Sequence, residues 1–142
     1  MLFRSISIAV NRCYGGFSLS PRALKAFAEL KGKRCYLFSH TFLASKRVYT
    51  PLIDLDNPPL FWSAFTIDNP NEIDDDDWGS VHLSCRPENR ADPDLIKVIK
   101  ELGEKANGQC AKLEIVKIPA DVDWEIDEYD GMETVREKSR SW

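Results

Sequence analysis

Between Ser5 and Asn11 the chain alternates: Ile6, Ile8 and Val10 fall on one side, Ser5, Ser7 and Ala9 on the other. A period of two with one apolar face predicts a strand. Leu24, Phe27, Ala28 and Lys31 instead recur at helical spacing, with Leu30 alongside and Arg22, Lys25 and Glu29 left for water. Ser20 caps that helix, Pro21 suits its first position and Gly32 its end. A second helix begins at Asp92-Pro93 and carries Leu95, Ile96, Ile99, Leu102 and Ala106 as its apolar stripe, with Asn107-Gly108 as its stop.

Extended runs follow the same logic. Cys35 to Phe38, prolonged toward His40, reads as a strand, as do Leu113–Pro119 and Val122–Asp127. The last two are joined too closely for a crossover helix and so are antiparallel or parts of one bent strand. Asp130-Gly131 suits a type I′ hairpin turn, after which Met132–Arg136 returns as a strand. Residues 41–82 are harder to read: Val48-Tyr49, Leu52-Ile53, Leu60–Phe65 and Val81–Leu83 are short extended candidates separated by Pro51, Pro58-Pro59 and Pro70. The expectation is one α+β domain over 1–142, a mainly antiparallel sheet with two principal helices against it. A proline- and acid-rich central insertion occupies about 41–80.

Length and composition narrow the class. The chain has 142 residues, 43% hydrophobic and 30% charged, enough for one real core. It has no apolar run of membrane-spanning length. Met1–Val10 lacks a full signal-peptide core, which predicts a cytoplasmic protein. Cys13, Cys35, Cys85 and Cys110 match neither a zinc pattern nor a CxxC pair and are expected to be reduced, mostly buried thiols.

The net charge of −4 conceals an asymmetry. The first fifty residues hold nine Lys/Arg against Glu29 alone, a balance of +8 that leaves −12 for the other 92. Ion pairing between the halves is the simplest account, and a nucleic-acid surface on the basic third is the weaker one. Asp68 to Asp77 holds six carboxylates and reads as a solvated, mobile loop. Pro70 stands where a calcium loop needs an oxygen ligand, so neither a metal nor a cofactor is expected.

Candidate chemistry gathers at the first strand-to-helix bend. Asn11, Arg12, Tyr14, Gly15, Gly16 and Ser18 offer backbone donors, hydroxyls and a cation to a phosphate or carboxylate, although neither a Walker nor a GxGxxG motif is present. Arg86 and Arg90 precede the second helix, and two helix starts converging on one anion would unite them with Arg12. The competing reading makes Tyr14 and Phe17 core or hinge aromatics, leaves Ser20 as only a cap and pairs Arg12 with an acidic strand residue. His82, Asp92 and Tyr14 are the candidates for acid–base chemistry, and His40 is the other histidine. Asp121, Asp123, Glu125 and Asp127 alternate with Val122, Trp124 and Ile126. As a strand they line one face that could do acid–base work or hold a divalent cation, that is simply solvated on the plainer reading, and that could also dock a basic partner protein.

The run Asn11-Arg12-Cys13-Tyr14-Gly15-Gly16-Phe17-Ser18-Leu19-Ser20 resembles the N-terminal signature of a family of small proteins of tailed bacteriophages and other microbial genomes. Ala91–Leu95, Leu102-Gly103, Ile115–Pro119, Trp124–Ile126 and Glu128–Glu133 resemble it too, so the likeness covers the first 35 and last 55 residues or so. The family has no assigned activity, and the resemblance implies only that the N-terminal loop and C-terminal hairpin belong together. Three functions remain on the sequence: a small binding or interaction protein for an anionic ligand or a protein partner, a small hydrolase or transferase acting on a phosphorylated metabolite or nucleotide, and a weak nucleic-acid binder.

Overall fold

Ser20 and Gly32 bracket the first helix as their chemistry dictates. In the computed structural model, which describes residues 4–138, α1 spans Pro21–Leu30. The Ser20 hydroxyl accepts the Ala23 N–H at 3.1 Å. At the other end Gly32 takes φ +73°, and the Gly32 and Lys33 N–H groups return to the carbonyls of Glu29 and Ala28. The long helix α3 (Pro93–Leu102) is capped by the Asp92 carboxylate on the Asp94 N–H. It changes at Gly103 into a 3₁₀ turn, Gly103–Ala106, earlier than the Asn107-Gly108 stop.

The two helices run antiparallel. The Ser20 N–H reaches the Ala106 carbonyl beyond the end of α3, while Lys31 at the end of α1 grips Asp92 and Asp94 at 2.7 and 3.0 Å. The convergence of two helix starts is thereby corrected. Each start meets the other helix's end, where opposite dipole ends and the Lys31 charge agree.

The strands among the described residues are all antiparallel but form three sheets rather than one. β1 (Ser5–Asn11) pairs along its whole length with β6 (Leu113–Pro119). Its last four residues, Ile8 to Asn11, are buried on both faces. β2 (Tyr36–Leu43) lies between β3 (Lys46–Pro51) and β4 (Trp62–Phe65), with the two-residue β5 (His82–Leu83) outside β4. β7 (Trp124–Tyr129) and β8 (Met132–Glu137) form the C-terminal hairpin. Asp130 and Gly131 both take positive φ, 49° and 86°, as a type I′ turn requires.

The stretch read as an insertion therefore supplies two strands of the largest sheet. Leu52-Ile53 is not a strand, and Ile53 is exposed. The acid run is not wholly loop. Pro70–Glu72 is a 3₁₀ turn, and Asp75–Val81 forms a short helix, α2, whose first turn holds Asp75, Asp76 and Asp77. Carboxylates are favoured there by the helix dipole, an effect that reading the run as mutual repulsion overlooks.

One face of the four-stranded sheet, with Leu37, Ala64, Leu83 and Trp62, joins the main core with α1, α3 and Leu113 and Ile115. The opposite face carries a second, aromatic cluster of Phe38, Tyr49 and Phe65, covered by Trp78 and Val81 of α2. Ring centroids there lie 5.0 to 6.4 Å apart in edge-to-face pairs, the arrangement aromatic quadrupoles prefer.

Candidate functional site

The strand-to-helix bend is held shut by the C-terminal hairpin. Gly15 and Gly16 adopt φ +117° and +99°, a region that side chains avoid. The Gly15 N–H donates to the Asp130 carbonyl at 3.0 Å. A Cβ on Gly131 would stand 2.1 Å from the Gly16 nitrogen, so only glycine lets the turn lie on the bend. On another side, the Arg86 guanidinium lies 3.5 to 3.7 Å from where a Gly16 Cβ would be. Ser18 is pressed against Gly108, whose N–H donates to the Ser18 carbonyl at 2.9 Å.

Asn11, fully buried, uses both ends of its amide. Its Oδ1 accepts the N–H groups of Lys112 (2.8 Å) and Cys13 (3.3 Å), and its Nδ2 donates to the carbonyls of Gly131 and Cys13. Arg12 pairs with Glu114 at 3.1 Å and donates to the Glu133 carbonyl at 2.9 Å. Arg90 lies 3.8 Å from the centroid of Phe17 and pairs with buried Glu133 at 2.6 Å. The same carboxylate also accepts the Asn11 N–H. Both partners of that pair are nearly desolvated, so each depends on the other to offset the cost of leaving water.

At the bend Asn11, Arg12 and Arg90 meet Glu133 and the hairpin turn, while Arg86 lies beside Gly16 with no carboxylate within ion-pair distance among the described residues. The competing reading, Arg12 paired with an acidic strand residue, is the arrangement present. Tyr14 stands apart with 57% of its surface exposed.

The acid–base candidates are separated by their partners. Asp92 is committed to the α3 cap and to Lys31. Burial raises its pKa, and the bonds from Lys31 and the Asp94 N–H more than offset this, leaving it below the usual 3.8. His82 stacks on Trp78 at 4.1 Å with 15° between planes. His40 Nδ1 lies 3.0 Å from Ser63 Oγ, a contact that spacing did not reveal. Ser63 is buried, and among the described residues no carboxylate orients that imidazole, so the pair lacks the third member of a nucleophilic triad. Burial and then the Arg47 charge hold both histidines below 6.5. All four cysteines are free thiols, but Cys35 alone is buried. Burial pushes its thiol up to about 11, which leaves it protonated and unreactive. Among the described residues no cluster of His, Cys, Asp or Glu could hold a metal ion.

On the C-terminal hairpin, Arg136 bridges Glu125 at 2.8 Å and Asp127 at 3.7 Å, which neutralises part of the acidic strand face. No helix among the described residues is long and apolar enough to cross a membrane.

An open cleft with cations in its lining lies elsewhere, at the outer edge of β3. A cleft of about 630 Å³ runs between the β2–β3 hairpin and residues 70–78, lined among others by Phe42, Lys46, Arg47, Asn71, Asp75 and Trp78. The Arg47 guanidinium is 5.8 Å from the centroids of both Phe42 and Trp78. Among the described residues neither Lys46 nor Arg47 has a carboxylate within ion-pair distance. In the sequence both counted only toward the basic half, and Trp78 carried no signal. The hairpin joining Phe42 to Arg47 turns through Ala44 and Ser45 at φ 50° and 66°, residues that do not announce such a turn. Comparison with family models, with curated proteins and with solved structures finds no match for the chain.

Proposed function

We propose that the chain is a binding module for a small anionic ligand, phosphorylated or carboxylated, and that the ligand sits at the open edge of β3. One observation carries this reading: the division of the cations. Arg12 and Arg90 are closed on Glu114 and Glu133, whereas Lys46 and Arg47 share a cleft in which, among the described residues, no carboxylate comes within ion-pair reach of either. A charge without a protein partner, set beside aromatic walls in a concave site, is what an anion needs. The Gly-Gly bend is then a structural clasp, and that clasp supports the proposed kinship with the phage-type family, in which loop and hairpin go together.

The hydrolase alternative draws no support from the geometry, because His82 and Asp92 are held by separate local partners and Tyr14 stands exposed. The test is calorimetric titration with a panel of orthophosphate, pyrophosphate, ribose 5-phosphate, citrate and AMP. At least one member binds the wild-type chain, at least tenfold more weakly to Arg47→Ala and unchanged to Arg12→Ala. No binding by wild type, or loss only in Arg12→Ala, contradicts the reading.

A further inference from the structure

The geometry of the β3 edge points to a narrower ligand class: we propose that this cleft takes a nucleoside phosphate. The inference rests on the anion-binding reading above and adds what the rest of the cleft selects.

Strand addition is disfavoured there. Tyr49 gives its outward N–H and C=O to the Asn71 side chain, at 2.8 and 2.9 Å, so that amide already occupies the place of a neighbouring strand. Two residues on, Pro51 has no N–H to offer. By the alternation of an antiparallel ladder, Arg47, two residues before Tyr49, turns its own N–H and C=O to the same open edge. One residue's backbone is too little for a peptide strand, but it adds a donor to a small-molecule site.

The side chains divide into three kinds. Lys46 and Arg47 provide the charge for a phosphate, and Arg47 can do so bidentately. Phe42, 59% exposed, provides a ring face for a planar base, with Trp78 as the second aromatic wall. Asp75 is an acceptor in the same lining. Its carboxylate repels a bare phosphate and rewards an anion that also presents O–H or N–H donors, as a ribose or an exocyclic amine does. A volume of about 630 Å³ is ample for one nucleotide. Charge, ring and donor together describe a nucleoside phosphate better than a simple anion or a carboxylated chain.

Tryptophan fluorescence titrations of the full chain with AMP, adenosine and ribose 5-phosphate test this, with Trp78→Phe identifying the reporter. AMP binds at least tenfold more tightly than adenosine or ribose 5-phosphate. Phe42→Ala, a change at an exposed ring with the fold checked by circular dichroism, reduces AMP to the affinity of ribose 5-phosphate. Arg47→Ala reduces AMP to the affinity of adenosine. Equal binding of AMP and ribose 5-phosphate overturns the nucleoside inference and leaves the anion site standing. Equal binding of AMP and adenosine, or no binding of any of the three together with a silent calorimetric panel, overturns both.

Discussion

The Gly15-Gly16 bend and the outer edge of β3 contain the same pairing, an arginine against aromatic rings, put to opposite uses. At the bend Arg90 lies 3.8 Å from the Phe17 centroid and its charge ends on Glu133, a residue 6% exposed. At the edge Arg47 stands 5.8 Å from Phe42 and from Trp78, and its charge ends on nothing within ion-pair reach among the described residues. The ring contact is common to both, so it does not decide the role. The carboxylate does: a cation that meets one in a buried place holds the fold, and a cation that meets none in a cleft is available to a ligand.

Substitutions at the bend therefore cost stability. Gly131→Val drives a Cβ to 2.1 Å from the Gly16 backbone nitrogen and forces a branched residue to φ +86°. Urea denaturation of this variant is expected to show a loss of about 4 kcal/mol or more. Gly32→Ala, where a Cβ meets nothing within 4 Å, is the matched control and pays only the strain of φ +73°. Equal losses in the two would mean that the turn does not close the bend. Arg90→Ala comes next, because it strands the buried Glu133 carboxylate, and a loss of about 3 kcal/mol is expected. Arg12→Ala, on the more open pair with Glu114, loses no more than about 1 kcal/mol by the same measurement.

These partnerships explain what could be read from the sequence. The Ser20-Pro21 and Asp92-Pro93 starts, the Gly32 end and the Asp130-Gly131 turn were legible, because each depends on chemistry within a few residues of itself. The division of cations was not. Arg12 finds Glu114 across 102 residues and Arg90 finds Glu133 across 43, and only the β1–β6 ladder and the returning hairpin bring those carboxylates home. The cleft was hidden twice over. Ala44 and Ser45 turn where asparagine and glycine would have signalled a hairpin, and α2 hides in a run of aspartates that reads as loop.

The smaller effect is a pH dependence on the edge side of the comparison. His40 and His82 have folded pKa values lowered by burial and then by Arg47, below the ordinary 6.5. The unfolded chain therefore takes up protons first as pH falls through 6.5, and stability declines from neutral pH downward until the folded values are reached. Thermal melts between pH 7.5 and 5 (about the histidine window) are expected to show this slope, flattened in His82→Gln. Asp92 behaves separately. Its folded pKa is lowered, so its contribution is present above 3.8 and is lost only as pH falls below that value. A flat melting temperature across the histidine window would contradict the partial burial of the two imidazoles.

The most direct test of the division between clasp and cleft is an amide chemical-shift map recorded while AMP is added to the ¹⁵N-labelled chain. Shifts are expected at Ser45, Lys46, Arg47 and Tyr49, and from Asn71 to Trp78, with the amides of Arg12 to Ser18 unmoved. Shifts centred on Gly15 and Gly16 with the β3 edge silent would contradict that division.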